Sequence, residues 1–191
     1  MSRDHLVLAD LAANLDPAAT LKKHRLRAEE LRAILLRAAS ALAPAPAAAD
    51  AVFVVQVDGA ARGNPGPSGA GIVISRDGRL VEGIAQYLGA SLTNNQAEYN
   101  ALIIGLTRVK ELGAEKVEVR SDSELMVRQM RGEYRVKNQT LAGLFERAHR
   151  LATGFRSFDI AHVRRELNGD ADRLANRAID EFSGPEADEE E

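Results

Sequence analysis

The sequence predicts an α/β domain with a mixed five-stranded sheet and helices on its faces, preceded by a small helical segment. From residue 51 the apolar residues alternate as in strands in three successive runs joined by glycine-bearing turns. A long helical pattern follows, and strands and helices then alternate. An antiparallel meander followed by strands separated by helices gives a mixed sheet. The 191 residues are 45% apolar, which suffices for one core.

The element boundaries follow from the alternation, the helical periodicity, and the glycines and prolines at the ends of each pattern. We predict strands over residues 52–60, 69–75, 80–88, 116–120 and 155–163. We predict helices over residues 93–112, 122–130, 139–153 and 170–182.

The chain divides into four predicted segments. Residues 1–42 form a helical appendage, in which Asp16-Pro17 separates two helices because proline suits the first turn of a helix. Residues 43–50 form a predicted semi-rigid linker, because Ala and Pro alternate at its start, over residues 43–46. Residues 51–183 form the main domain, and residues 184–191 form an acidic tail.

The helical appendage is a candidate for binding a partner or for self-association. It contains no aromatic residue, so it offers no platform on which nucleic-acid bases could stack. One cluster of basic residues in the appendage either contacts phosphates or forms a face exposed to solvent. These residues are Lys22, Lys23, Arg25 and Arg27.

Composition excludes several classes of protein. The chain has no cysteine, which excludes disulfides, thiolate zinc sites and cysteine nucleophiles, and its 4 histidines are scattered. No apolar run reaches the roughly 18 residues of a membrane helix and no signal peptide pattern opens the chain, so we expect a cytoplasmic protein without membrane contact. The net charge of −3 comes from the acidic tail, and the slightly basic remainder suits a polyanionic partner.

Four carboxylates stand where a regular element begins or ends. Asp58 lies at the end of an apolar strand, where burying an ionised group is costly unless a cation pairs with it. Magnesium and manganese take such hard oxygen ligands. The other three acids are Glu98, Asp122 and Asp172.

Each acid also has an alternative interpretation that involves no metal. Asp58 could enter a turn, Glu98 could gain from the dipole of its helix, and Asp122 could be a helix N-cap. Asp172 could be a solvated helix acid, and Asp170 is a rival for its place.

Four short blocks of sequence resemble the type 1 ribonuclease H family over about residues 52–180, in the order of that family. The blocks are Val57 to Gly66, Thr93 to Glu98, Arg120 to Ser123 and Asn168 to Ala175. Together they are highly specific. The resemblance implies a ribonuclease H-like fold with strand order 3-2-1-4-5 and magnesium-dependent cleavage of the RNA strand of an RNA/DNA hybrid. It also implies 5′-phosphate and 3′-hydroxyl products.

The resemblance further implies the metal ligands and the cofactor. By motif position the ligands are Asp58, Glu98, Asp122 and Asp172, and the family spacing selects Asp172 over Asp170. Two Mg²⁺ ions, with Mn²⁺ as the alternative, can hold the attacking water and the leaving oxygen on opposite sides of one phosphate.

The resemblance implies that neutral polar groups contact the ribose and the minor groove. The 2′-hydroxyl distinguishes RNA from DNA, and close main-chain groups in a glycine-rich turn can read it. The candidates are Gly63, Asn64, Asn95 and Gln96. The alternatives are that Asn64 belongs only to a tight hairpin connection and that Asn95 only caps a helix.

Two departures from the family pattern stand out. His162 ends a strand and lacks a glycine-flanked loop, so we expect Arg165, seven residues before the last acid, to assist catalysis instead. The basic, tryptophan-bearing element that many members insert is absent, because only residues 131–138 link the two helices and the chain has no Trp.

Two rival functions remain open from the sequence. The same set of four acids also serves integrases, transposases and junction resolvases, and a hybrid-binding protein could dispense with catalysis altogether. The ribose-facing turn favours an RNA-directed enzyme, and none of the four acids is missing.

Overall fold

A computed structural model describes residues 3–42 and 51–182 of the chain. The chain divides into two compact units, Met1–Ala45 and Pro46–Glu191. The predicted linker over residues 43–50 and the predicted tail over residues 184–191 lie outside the described residues. None of the described helices combines the length and the apolar character that crossing a lipid bilayer demands.

The first unit contains three helices around a small apolar core. The helices are α1 (Arg3–Asn14), α2 (Pro17–His24) and α3 (Ala28–Leu42). The break predicted at Asp16-Pro17 is confirmed, because Asp16 caps α2 by accepting the backbone N–H of Ala19 at 3.0 Å. A second break, at Arg25 with φ of 52°, was not predicted. The buried core side chains are Val7, Leu31 and Ile34.

The basic residues of this unit are partly engaged within it. Lys23 pairs with Asp10, and the Nε of Arg27 lies 3.7 Å from a carboxylate oxygen of Glu30. These pairs favour a solvated face for at least these two cations, because paired charges contribute less to a phosphate-binding field.

The second unit is built on one five-stranded mixed sheet, as predicted. The strands are β1 (Val52–Ala61), β2 (Gly66–Arg76), β3 (Arg79–Leu92), β4 (Lys116–Ser121) and β5 (Ser157–His162). Their order is β3-β2-β1-β4-β5, with β1–β2 and β2–β3 antiparallel and β1–β4 and β4–β5 parallel. The strand β2 begins earlier than predicted. Gly66, Pro67 and Ser68 resemble a turn in sequence, but Ser68 is buried and pairs with Ala61 of β1.

Four helices cover the two faces of the sheet. They are α4 (Asn94–Glu111), α5 (Glu124–Met130), α6 (Gln139–Ala152) and α7 (Gly169–Phe182). Gly105 of α4 packs against Val55 and Val57 on one face of β1. The register partner of Asp58 on β2 is Gly71, which packs against α7 on the opposite face. The main core lies on the α4 face of the sheet, where apolar strand residues such as Val55, Ile72 and Val119 are buried, and small residues of α7 pack on the other face.

Candidate active site

Two acids meet at the ends of adjacent parallel strands. Asp58 lies near the end of β1 and Asp122 directly follows β4. Parallel neighbours end at the same edge of a sheet, so the topology brings both carboxylates to one edge. Asp58 is 6% exposed. The residue is therefore a buried acid and not a solvated turn aspartate.

A glycine lets the third acid approach the first. A Cβ atom on Gly59 would lie 2.1 Å from the backbone N of Glu98 and 2.2 Å from the carbonyl carbon of Ala97. Helix α4 therefore rests directly on β1. Its first turn is fixed by Thr93, whose side chain forms a reciprocal capping box with Gln96. Glu98 is 6% exposed, and its Oε2 has no hydrogen-bond partner.

A second close approach brings the fourth acid to the same edge. A Cβ atom on Gly71 would lie 1.9 Å from the carbonyl oxygen of Ala171, so α7 packs tightly on β2. Asp172, in the first turn of α7, thereby reaches the cavity formed by the other acids. Asp170 instead pairs with Arg173 and does not line this cavity. The geometry thus favours Asp172 over Asp170.

All four predicted acids line one cavity of about 450 Å³, here called the carboxylate cavity. Arg165 lines it too and donates from Nη2 to Oδ1 of Asp172 at 2.7 Å. The remaining polar side chains of the lining are Asn94, Ser123, Glu124 and Asn176. The lining of this cavity contains five carboxylates and one guanidinium, so its electrostatic potential attracts cations.

The environment shifts the titration of the two buried acids. Burial, followed by the negative charges of Asp122 and Asp172, raises the pKa of Asp58 to about 7. Burial first, and then the charge of Asp58, raises the pKa of Glu98 well above its usual value. The hydrogen bond to Asp172 raises the pKa of Arg165, which therefore stays charged. A cation would relieve the cost of ionising both buried acids.

Among the described residues, no three acids or histidines lie close enough together to form a metal-binding cluster as they stand. A cation is inferred instead from the donors themselves. The carboxylate cavity supplies hard oxygen ligands, and one of its buried oxygens, Oε2 of Glu98, lacks a partner. The donor set fits a divalent magnesium-like ion.

Asn168 organises the site although sequence reasoning used it only as a marker of spacing. It is fully buried, and its Nδ2 donates to the carbonyl of Val57 at 2.9 Å and to Oδ1 of Asp122 at 2.8 Å. The alternative that Asp122 is a helix N-cap is wrong, because α5 begins at Glu124 and Ser123 occupies the N-cap position. An amide in a polar stretch carries no signal for such long-range bonds, so the sequence could not have indicated them.

The four predicted substrate-binding residues do not line the carboxylate cavity. Gly63 has a φ of 101°, which favours glycine, and Asn64 accepts the backbone N–H of Asn94 at 3.2 Å. Asn95 is exposed, and Oε1 of Gln96 is used in the capping box. The predicted alternative that Asn95 caps α4 is wrong, because Thr93 is the N-cap.

His162 and the linking segment lie apart from the carboxylate cavity. His162 is exposed at the end of β5 and lines a separate cavity of about 210 Å³ with Arg128 and Arg131. Residues 131–138 form turns without a helix, in agreement with the absence of a basic helical element there. Of the two candidate assistants, only Arg165 faces the acids.

The fold and the arrangement of acids at one sheet edge define a ribonuclease H-like protein. A family profile described as reverse transcriptase-like matches residues 56–178. The chain is 36% identical over 150 residues to ribonuclease H of Coxiella burnetii, covering 68% of this chain and 91% of that protein. The chain belongs to the ribonuclease H family.

Other relatives agree with this assignment. Ribonuclease HI of Halobacterium salinarum is 42% identical over 125 residues, and the chain spans 62% of that protein and 35% of the mycobacterial relatives that it also matches. The crystal structure of the Halobacterium salinarum RNase H1 superposes with a TM-score of 0.66 at 40% identity, over 68% of this chain and 98% of that one. The structure of LC11-RNase H1 in complex with an RNA/DNA hybrid gives 0.64 at 40% identity, with the same coverage.

Proposed function

We propose that this chain is a type 1 ribonuclease H that hydrolyses the RNA strand of RNA/DNA hybrids. The observation that carries this proposal is the single cavity that gathers Asp58, Glu98, Asp122 and Asp172. The family assignment supports it, and so does the hybrid bound by LC11-RNase H1, a protein 40% identical to this chain. The products are 5′-phosphate and 3′-hydroxyl ends.

The four acids would hold two divalent ions, Mg²⁺ or Mn²⁺. When bound, such ions polarise the scissile phosphate and activate water for in-line attack. Binding of these ions is coupled to the protonation state of Asp58 and Glu98. Asp58 and Glu98 hold protons more tightly than ordinary carboxyls, so cation binding at neutral pH displaces protons from them.

Arg165 serves as a fixed cation at the rim of the carboxylate cavity. Its side chain is 74% exposed and bonds to Asp172 through one nitrogen, which leaves the other N–H groups of the guanidinium available to a phosphate oxygen. A guanidinium does not exchange protons near neutral pH. Its contribution is therefore to orient the phosphate and to stabilise developing charge.

The turn at Gly63 and Asn64 contacts the RNA strand on one flank of the carboxylate cavity. Asn64 is tied to Asn94, which itself lines that cavity, so the turn is coupled to the site. The exposed side chain of Asn95 and the partly buried side chain of Gln96 at the start of α4 contribute minor-groove contacts. Main-chain groups beside a ribose can detect its 2′-hydroxyl, which gives selection for RNA.

The two units divide the work. Residues 51–183 carry catalysis, and residues 1–42 add a partner-binding or self-associating segment that is joined by the linker. The protein acts in the cytoplasm. Deleting residues 1–45 leaves the rate of hybrid cleavage within about twofold and changes the oligomeric state or the salt dependence of hybrid binding.

The direct test is cleavage of labelled duplexes. Wild-type protein is incubated with an RNA/DNA hybrid, an RNA duplex and a DNA duplex, each with Mg²⁺ or Mn²⁺, and the products are sized on a sequencing gel. The wild type cuts the RNA strand of the hybrid, and Asp58→Asn lowers the rate by at least about a thousandfold. Asp170→Asn, which changes an acid outside the carboxylate cavity, is the matched control and keeps the wild-type rate. Absence of hybrid cleavage by the wild type, or full activity of Asp58→Asn, rejects the proposal.

A further inference from the structure

The Arg165–Leu167 turn carries Arg165 to the rim of the carboxylate cavity without help from the core. Every side chain from residue 164 to residue 167 is exposed. Within the turn, the N–H of Leu167 donates to the carbonyl of Arg164 and that of Asn168 to the carbonyl of Arg165, each at 2.9 Å. These bonds close the turn on itself and do not attach it to the sheet.

Gln56 provides one attachment. It lies on β1 two residues before Asp58, and therefore on the same face of the strand. Its Nε2 donates to the carbonyl of Leu167 at 2.8 Å, across 111 positions of sequence. Gln56 is also the polar residue that interrupts the apolar run from Val52 to Val57, and its side chain is only partly buried.

Asn168 provides the other attachments. Its Nδ2 donates to the carbonyl of Val57 at 2.9 Å and to Asp122 at 2.8 Å, and the side chain is fully buried. Its own carbonyl accepts the N–H of Asp172 at 3.1 Å, which begins α7. The two amides thus bind consecutive residues, 167 and 168, to consecutive residues of β1.

We propose that Gln56 and Asn168 are positioning residues that hold the Arg165–Leu167 turn on the end of β1 and so keep Arg165 beside Asp172. Holding an exposed arginine in one position costs conformational entropy. An anchored backbone lowers this cost, because fewer conformations of the segment remain to be restricted. The inference rests on the proposed function, because it concerns how Arg165 serves hybrid cleavage. The anchored turn explains how the exposed side chain of Arg165 can keep a defined position.

Gln56 is the residue to test, because its side chain is only partly buried and its replacement spares the fold. Gln56→Met keeps the length of the side chain and removes the donor. We expect kcat for hybrid cleavage to fall about fivefold, the effect of one neutral hydrogen bond, while KM changes less than about twofold. In an Arg165→Ala background the same substitution has no further effect, because the group that it positions is gone. Gln86→Met, on β3 away from the carboxylate cavity, is the matched control and leaves kcat unchanged.

A second measurement needs neither metal nor substrate. Heteronuclear NOE values of the Leu167 amide and of the Arg165 Nε–H group are recorded on the metal-free protein. Both fall in Gln56→Met and stay at the wild-type value in Gln86→Met. The inference is overturned if Gln56→Met lowers kcat by the same factor in the wild type and in the Arg165→Ala background. It is also overturned if Gln56→Met leaves the NOE values unchanged. Failure of the wild type to cleave hybrid rejects the proposed function instead, and the NOE comparison still decides whether the two amides hold the turn.

Discussion

The half of the carboxylate cavity that holds Asp58 and Glu98 is buried, whereas the half that holds Asp172 and Arg165 is open to solvent. Asp58 and Glu98 are each 6% exposed, while the side chains of Asp172 and Arg165 are 26% and 74% exposed. Packing sets the buried half, since α4 lies on Gly59 with no space for a Cβ atom. The ion pair between Arg165 and Asp172, together with the hydrogen bond from Gln56 to the carbonyl of Leu167, sets the open half. The half that holds Asp58 and Glu98 is therefore tightly packed and costly to ionise, whereas the half that holds Asp172 and Arg165 is less tightly packed.

The largest expected effect concerns pH, and it arises from the buried half. The pKa of Asp58 is raised to about 7 in the folded protein, so the folded state binds more protons than the unfolded state between about pH 4 and pH 7. The free energy of unfolding of the metal-free protein should therefore fall as pH rises through this window, by on the order of 3 kcal/mol. Chemical denaturation in EDTA from pH 4.5 to pH 8 measures this slope.

Asp58→Asn is the control for that slope, since an amide does not titrate. The variant should lose the part of the pH dependence that comes from Asp58 and keep the part that comes from Glu98, whose pKa is also raised. Mg²⁺ should raise the melting temperature of the wild type more at pH 8 than at pH 6. A wild-type protein that becomes more stable as pH rises from 5 to 7 would contradict the burial argument.

The next effect tests whether packing fixes the buried half. Gly59→Ala forces the backbone of Ala97 and Glu98 away from β1, which should cost about 1–3 kcal/mol of stability and most of the cleavage activity. Gly83→Ala is the matched control on β3, where a Cβ atom would meet only Leu174 Cδ1, at 3.5 Å. Urea denaturation of both variants compares them. Equal stability of the two would show that α4 can move without penalty.

The smallest effect belongs to the open half. Arg165→Lys keeps a positive charge but loses the planar fork, so kcat should fall about tenfold while stability changes by less than about 0.5 kcal/mol. Single-turnover cleavage of a hybrid and thermal melting separate the two quantities. A loss of stability as large as that of Gly59→Ala would mean that the open half is structural, and the contrast between the halves would fail.

Most elements left a local signal in the sequence, but the four acids were assigned together from the family resemblance, because each of them also has a local interpretation without a metal. Asp58 is a charge in an apolar strand, and the periodicity of residues 93–112 marks α4. The strand order followed from family resemblance and not from the pattern itself. Gln56 and Asn168 were missed as organisers because both of them bond to backbone carbonyls 111 positions away, which no local pattern reports.

Capping residues were also hard to assign. Thr93, Asn94 and Asn95 are all plausible N-caps, and Thr93 is selected because Gln96 lies three residues after it and completes the capping box. The sequence predicts a start of β2 that is too late, because Gly66, Pro67 and Ser68 favour turns locally. Tertiary pairing with β1 and β3 overrides that preference.

The most direct test of the carboxylate cavity as a cation site is calorimetric titration of the substrate-free protein with Mn²⁺ at pH 7.5. Wild type and Asp170→Asn should bind the ion saturably with the same affinity, and Asp58→Asn should bind it at least about tenfold more weakly. Binding by Asp58→Asn that equals the wild type, or loss of binding in Asp170→Asn alone, would contradict the account.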